Sequence, residues 1–510
     1  MYLTQGLHRS LQATPDKTAT VHGDRSHTFA EMGDRVARFA AGLQGLGVAE
    51  GDVVAILSLN SDRYVEYYSA IPWADAVLNP INIRWSPQEI IYALNDSGTT
   101  VLLIDDAFAP MAPAITASCP SVTTLVHCGD GPTPEGMVSY EALVADNEPV
   151  ADVRRCDDQL AGLFYTGGTT GFPKGVMLSH CNLLTSALGA VASGYLLQRD
   201  STYLHAAPMF HLADLAGNLG ANLLGCTHVT IPFFEPKNVL VTIEKHRITD
   251  VLMVPTMIQM VIDHPDAKEH DLSSLQRLMY GGSVISEGVL LRTKALLPHL
   301  RLTQAYGMTE LAPVATLLGP DDHVDGLLTA AGQAAPHAEV RILDEEGNPV
   351  PTGTVGEICV FGANVMLGYW NRPEETAAVL KDGWMHTGDG GYIDERGFVF
   401  VVDRIKDMIV TGGENVYSAE VEGAISKFPG VLQSAVIGLP SDQWGETVHA
   451  CVVKAPDADF TSEDLIAHVK GLIANYKVPR SVDFLAELPM SGAGKILKRD
   501  LRASYAKEQA

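Results

Sequence analysis

The chain is poor in cysteine, in basic residues and in long apolar runs, and each shortage narrows what it can be. Seven cysteines (119, 128, 156, 181, 226, 359 and 451) are scattered over 510 residues and are nowhere spaced Cys-x-x-Cys. An odd, dispersed set argues against a disulfide framework or a zinc motif and fits a reducing cytoplasm. Thirty-five Lys and Arg face 61 Asp and Glu, a formal charge of −26. Such a surface disfavours nucleic acid and anionic membrane, which both need basic patches. The least polar long stretch, Leu212 to Phe234, still contains Asp214, Asn218, Asn222 and His228. It reads as buried helix and strand, with no membrane span. The first residues, Met1 to Arg9, lack the apolar centre of a signal peptide, so the expected location is cytoplasmic. Also missing are His-Glu-x-x-His, Gly-x-Ser-x-Gly and the dinucleotide Gly-x-Gly-x-x-Gly, which removes support from zinc-protease, α/β-hydrolase and NAD readings.

What is present is a globular composition, 46% hydrophobic and 19% charged, in a chain too long for one core. Short apolar runs such as Val53–Leu57, Thr100–Ile104, Val122–Val126, Val229–Ile231 and Asp250–Val254 alternate with helical patterns such as Phe29–Leu46 and Ser86–Leu94. That alternation predicts an α/β fold with largely parallel sheets. From Glu339 the runs Val340–Leu343, Glu357–Phe361 and Phe398–Val402 are separated by Gly, Pro and Asp turns, a small antiparallel or barrel-like section. After Asp407 the pattern becomes α+β: helix Ser418–Lys427, strands Ser434–Gly438 and Val448–Lys454, helix Ser462–Asn475.

The densest functional signal is Tyr165-Thr-Gly-Gly-Thr-Thr-Gly-Phe-Pro-Lys174-Gly175, which follows the apolar run Leu160–Phe164. Glycines let backbone N–H groups approach a ligand, and hydroxyls with one lysine can bond phosphate oxygens. It is not a Walker A loop, because Lys174 is followed by Gly175. Further clusters are Pro208-Met-Phe-His211; Tyr280-Gly-Gly-Ser283, at an expected strand-to-helix turn; and Gln304-Ala-Tyr-Gly-Met-Thr-Glu310. Thr387-Gly-Asp389 is expected in a turn after Trp384, Asp403-Arg404 ends the barrel-like section, and Lys495 sits in Ser491-Gly-Ala-Gly-Lys-Ile-Leu-Lys498. Aromatic faces can stack a base, carboxylates can bond ribose or hold Mg²⁺, and a lysine among glycines is a mobile cation.

In this combination and order the chain resembles the adenylate-forming superfamily, in its acyl-CoA synthetase (fatty-acid–CoA ligase) branch, from Gly51-Asp52-Val53 and Pro80-Ile-Asn82 to Gly494-Lys495. The resemblance implies a large N-terminal AMP-binding domain, residues 1–404, and a small mobile C-terminal domain, residues 405–510, hinged near Lys406. It implies that Thr166, Gly167, Gly168, Thr169, Thr170, Gly171 and Lys174 handle the pyrophosphate end of ATP. Gly281, Gly282 and Ser283 would line the adenine and acyl-carboxylate sites. Tyr306 and the adjoining Gly307 would face adenine, Thr309 the α-phosphate, and Glu310 would coordinate Mg²⁺. Asp389 and Arg404 match the ribose-binding pair, Lys495 the catalytic lysine and His211 the aromatic gate between ATP and acyl pockets. Gly412, Gly413, Glu414 and Asn415 match the segment lining the pantetheine tunnel. One departure is Gly167, where many members carry Ser, which removes a hydroxyl from the loop.

The implied reaction joins a carboxylic acid to the CoA thiol through acyl-AMP, with ATP, CoA and the acid as small-molecule partners. A homodimer is left open. The apolar candidates Met209, Leu212, Met257, Met308 and Leu311 favour a medium- or long-chain fatty acid or an aryl acid. One alternative is an adenylation enzyme that loads a carrier protein. His211 stands where amino-acid activators usually carry Asp, which disfavours an amine-bearing substrate, and no carrier-like segment follows residue 510. A luciferase-like oxygenase is a smaller alternative. A non-catalytic nucleotide-binding relative is a different class, and the intact Glu310, Asp389, Arg404 and Lys495 argue against it.

Overall fold

Strand Val53–Leu57 is apolar and buried at every position, which requires cover on both faces of its sheet. The computed structural model supplies that cover; it describes residues 1–167, 173–283, 285–412, 414–441, 443–490 and 496–508. The chain divides into two units, Met1–Val340 with Val360–Met385, and Arg341–Cys359 with His386–Ala510.

The first unit contains two large sheets. One runs in spatial order Gly368–Tyr369, Lys174–Ser179, Leu160–Thr166, Val77–Pro80, Val53–Leu57, Val101–Ile104, Thr124–His127, Val138–Ser139. It is parallel from Leu160–Thr166 onward, while Lys174–Ser179 turns back antiparallel. The other runs Gln333–Ala334, Val314–Leu318, Arg301–Gly307, Arg277–Gly281, Asp250–Leu252, Thr202–His205, Thr227–Thr230, Thr18–His22, Arg25–Thr28. Its six central strands, Arg301–Gly307 through Thr18–His22, are parallel. Local signals set the helices between them. Helix Phe29–Gly45 starts at a capping box in which Thr28 and Glu31 exchange backbone hydrogen bonds. It buries Phe29, Met32, Val36, Phe39, Ala40 and Leu43, one face at helical spacing. Among the described residues no helix is long and apolar enough to cross a membrane.

The second unit holds most of a five-stranded sheet that includes Gly356–Phe361, Trp384–Ile393 and Val399–Arg404, followed by an α+β section. There, helices Ser418–Ile425 and Ser462–Lys470 pack Val421, Ile425, Leu465 and Val469 against Val436, Val448 and Val452 of the long hairpin Val431–Lys454.

Two expectations need correction. Thr387-Gly388-Asp389 is not a turn but the middle of the ten-residue strand Trp384–Ile393. Met385, Thr387 and Asp389 are buried in alternation, and that period-two pattern outweighs the turn preference of Gly and Asp. Gly388 fits because it takes φ of +71°, a kink that any side chain would resist. The helix expected over 462–475 stops at Lys470, capped by Gly471, once its apolar face ends at Val469.

Candidate active site

Three of the sequence-marked segments follow the carboxyl ends of parallel strands in one sheet. Gly281–Ser283 follows strand Arg277–Gly281, Tyr306–Glu310 spans the end of strand Arg301–Gly307, and His211 follows strand Thr202–His205. The first two strands are neighbours and the third lies beyond one intervening strand, Asp250–Leu252, so the loops emerge on the same edge. This is the edge where open α/β sheets bind ligands, because loop side chains and outward N–H groups converge there. Close approach is built in: a Cβ on Gly281 would sit 2.2 Å from the carbonyl oxygen of Ala305. Behind the edge, Tyr280 donates its buried hydroxyl to His323 Nε2 at 2.9 Å.

Lys174 and Glu310 lie far apart in sequence but converge through Tyr369. The glycine-rich segment joins antiparallel strands Leu160–Thr166 and Lys174–Ser179, paired as far as Thr166 opposite Lys174. Strand Gly368–Tyr369 adds to that hairpin, with Tyr369 opposite Val176. The Tyr369 hydroxyl donates to Glu310 Oε1 at 2.7 Å, and Lys174 Nζ lies 5.2 Å from the centre of the same ring. Glu310 itself is 6% exposed. Lys174 is ion-paired with Glu375, which also lies 3.6 Å from Arg372 Nε. Nearby, Trp370 Nε1 and the Tyr165 hydroxyl both bond Asp96, through its carbonyl at 2.9 Å and its carboxylate at 2.7 Å. Tyr369 and Glu375 were missed from sequence; the aromatic pair Tyr369-Trp370 before Asn371-Arg-Pro373 was the available signal. Gly168, Thr169, Thr170 and Gly171 lie outside the described residues.

His211 is the N-cap residue of helix Leu212–Leu224, its ring 4.3 Å from that of Phe210. The preceding loop is fastened by Asn60, whose Nδ2 donates to Ala207 O at 2.9 Å and His205 O at 3.3 Å, while Oδ1 accepts from Met209 N at 2.8 Å. Tyr68 adds a hydroxyl donation to Met209 O. The four polar residues that speak against a membrane span join His205 in one buried chain of five. Asp214 Oδ2 meets His205 Nδ1 at 2.7 Å, His205 Nε2 meets His228 Nδ1 at 2.9 Å, and His228 Nε2 meets Asn222 Oδ1 at 3.1 Å. Asn222 in turn donates to Asn218 at 3.0 Å. Burial pushes His228 well below the usual imidazole range, so it is neutral and can both donate and accept along the chain. Asn60→Ala should therefore orphan several buried backbone groups, each worth about 1–3 kcal/mol. A clearly lowered thermal unfolding midpoint is the expected result, and an unchanged midpoint would show that this clamp contributes nothing.

Met209, Leu212 and Leu311 are buried. Met257 is not set apart from the core: it packs with Ile258, Val261, Leu278 and Val289 in the apolar cluster beneath the sheet.

In the second unit Asp389 and Arg404 face each other across antiparallel strands, with Arg404 Nε 2.7 Å from Asp389 Oδ1. The preceding residues are fixed from strand Gly356–Phe361: Thr387 Oγ1 donates to Ile358 O at 2.7 Å, and Gly388 N to Glu357 Oε1 at 2.9 Å. Asp403 faces elsewhere, accepting from Ser418 N and Oγ, both at 2.5 Å, at the start of helix Ser418–Ile425. Lys406 lies in the 3-10 turn Ile405–Asp407, just past Arg404. Gly412 has φ of +62° and donates its N–H to Trp444 O at 2.8 Å, and exposed Glu414 opens the strand paired with Ile409–Thr411. Gly413 and Lys495 lie outside the described residues.

Comparison with known proteins gives this arrangement its family. Residues 7–370 match the AMP-binding enzyme family, and residues 420–495 match the AMP-binding enzyme C-terminal domain. The chain is 41% identical over 498 residues to a feruloyl-CoA synthase from Amycolatopsis sp, covering 98% of each protein. It is 36% identical to the fatty acid–[acyl-carrier-protein] ligase ScoC of Streptomyces coeruleorubidus, covering 99% of this chain and 96% of that one. Among solved structures, ATP-bound MatB from Rhodopseudomonas palustris superposes with a TM-score of 0.90 at 31% identity over all of both chains. The chain belongs to the AMP-binding enzyme family, in the acyl-CoA synthetase branch of the adenylate-forming superfamily, and is an ATP-dependent, AMP-forming acid–CoA ligase.

Proposed function

We propose that this ligase activates a hydrophobic carboxylic acid, a medium- or long-chain fatty acid or an aryl acid of similar size. A carboxylate oxygen of the acid attacks the α-phosphorus of ATP, and the bond to pyrophosphate breaks to leave acyl-AMP. The CoA sulfur then attacks the acyl carbon, AMP departs with the bonding electrons, and the thiol proton is lost to solvent. The observation that carries this reading is the convergence of Lys174, Tyr369 and Glu310, which brings a phosphate-binding cation and a buried carboxylate around one ring.

Each residue's proposed task follows from its chemistry. Lys174 exchanges Glu375 for phosphate oxygens, and Thr166, Thr169 and Thr170 add hydroxyl donors. Tyr306 stacks on adenine, with Gly281, Gly282 and Ser283 lining the adenine and acyl-carboxylate sites and Gly307 adjoining the ring. Thr309 donates to the α-phosphate. Glu310 is an acceptor-only carboxylate already oriented by Tyr369, the type of ligand a hard cation takes, and Mg²⁺ would neutralise phosphate charge there. Asp389 accepts from ribose hydroxyls while Arg404 holds it in place. His211 with Phe210 gates the acyl pocket, and Gly412, Gly413 and Glu414 border the path of pantetheine.

Met209, Leu212 and Leu311 present apolar groups, and no cation is assigned to a second carboxylate among them. Burying such an unpaired charge costs several kcal/mol, whereas each buried CH₂ contributes about 0.8 kcal/mol. The feruloyl-CoA synthase and ScoC relatives, named for an aryl and a fatty acid, support the same range. Pyrophosphate release measured over C2–C18 and aryl acids should give kcat/KM rising steeply from acetate toward octanoate or cinnamate-type acids. Higher values for acetate or malonate than for both would overturn the substrate class and leave the two-step chemistry standing.

A further inference from the structure

Glu357 and Cys359 are two residues apart on strand Gly356–Phe361, so their side chains share a face, and His386 on strand Trp384–Ile393 meets them there. One carboxylate oxygen, one sulfur and one imidazole nitrogen lie within 4.8 Å of one another. His386 Nδ1 is 2.7 Å from Glu357 Oε2 and 3.5 Å from Cys359 Sγ. From these contacts we propose that Glu357, Cys359 and His386 form a binding site for one thiophilic divalent cation, with Zn²⁺ the ion that suits the set.

The donor types and spacing carry the assignment. A carboxylate, a thiolate and an imidazole make a mixed O, S, N set of borderline softness, which suits Zn²⁺ and its surrogate Co²⁺ better than Mg²⁺ or Ca²⁺. Tetrahedral bond lengths place a sulfur and a nitrogen ligand about 3.5 Å apart, the separation already present between Cys359 and His386. Only the carboxylate must adjust, exchanging its 2.7 Å hydrogen bond for a ligand edge of about 3.3 Å. Its other oxygen accepts from Gly388 N at 2.9 Å, an outer contact of the kind that orients a metal-bound carboxylate. Cys359 is fully buried, whereas the Glu357 side chain is 23% exposed, leaving a route for the ion and for a water as fourth ligand. Binding displaces the thiol proton and leaves the imidazole nitrogen bare, so protons are released as the metal enters. The widely spaced cysteines that argue against a zinc motif do not bear on this cluster, whose ligands come from two paired strands.

The test is a Co²⁺ titration of the full chain after EDTA treatment and desalting, followed by competition with Zn²⁺. One equivalent of Co²⁺ should produce a sulfur-to-cobalt charge-transfer band in the near ultraviolet, with visible bands of tetrahedral intensity, and Zn²⁺ should bleach both. Cys359→Ser should abolish the charge-transfer band, and His386→Gln should weaken Co²⁺ binding at least 10-fold. Absence of the band in the unmodified chain would overturn the site. Its persistence in Cys359→Ser would do the same by assigning the sulfur to another cysteine, as would unchanged affinity in His386→Gln.

Discussion

Lys495→Ala is expected to slow acyl-AMP formation by about 10²–10³ while leaving thioester formation from supplied acyl-AMP nearly intact. Negative charge gathers at the α-phosphate as the carboxylate attacks, and a cation held there stabilises that charge by about 3–4 kcal/mol. Because the interaction forms in the transition state, the loss should fall on turnover more than on ATP affinity. Two lysines stand in Lys495-Ile-Leu-Lys498, and the structure describes the second of them. Lys498 is 2.7 Å from Glu422 and also bonds Ser418, so it serves the fold. Burial raises the Glu422 carboxyl, and removing Lys498 would strand it without its cation. Lys495 is the residue proposed for chemistry. Pyrophosphate release and acyl-CoA formation, assayed separately, decide the matter: equal losses in both would make Lys495 structural or shared between the steps.

Lys406→Pro is expected to retain much of the adenylation activity and to lose thioester formation at least roughly tenfold, or about 1.4 kcal/mol of barrier. In the proposed alternation of the C-terminal domain, a hinge near Lys406 concentrates the torsion change in few residues. Lys406 sits in the 3-10 turn Ile405–Asp407, where φ near −60° is close to the value proline enforces. The variant should therefore fold and then resist leaving this backbone conformation. Equal slowing of both half-reactions, in a variant with an unchanged circular dichroism spectrum, would argue that no torsion change at Lys406 is needed.

Much of this protein was legible in its sequence because local physics dominates there. The apolar runs Val53–Leu57 and Asp250–Val254, the helical pattern Phe29–Leu46 and the glycine-hydroxyl segment ending at Lys174 each declare themselves within a few residues. The resemblance to adenylate-forming enzymes could be read from the order of the motifs around Glu310, Asp389, Arg404 and Lys495. The match to AMP-binding enzymes bears out that family, while the task of each residue is a proposal. Tertiary structure decided what depends on strands meeting. Thr387-Gly388-Asp389 became strand because its alternate residues are buried. Met257 joined the core, and Tyr369 became the link between Lys174 and Glu310. Asn60 fastens a loop almost 150 positions away. Glu357, Cys359 and His386 share a face only because their two strands pair. Sequence periodicity reports which residues are buried, but hydrogen bonds and ligand sets need distances, and distances between remote residues exist only once the sheets have formed.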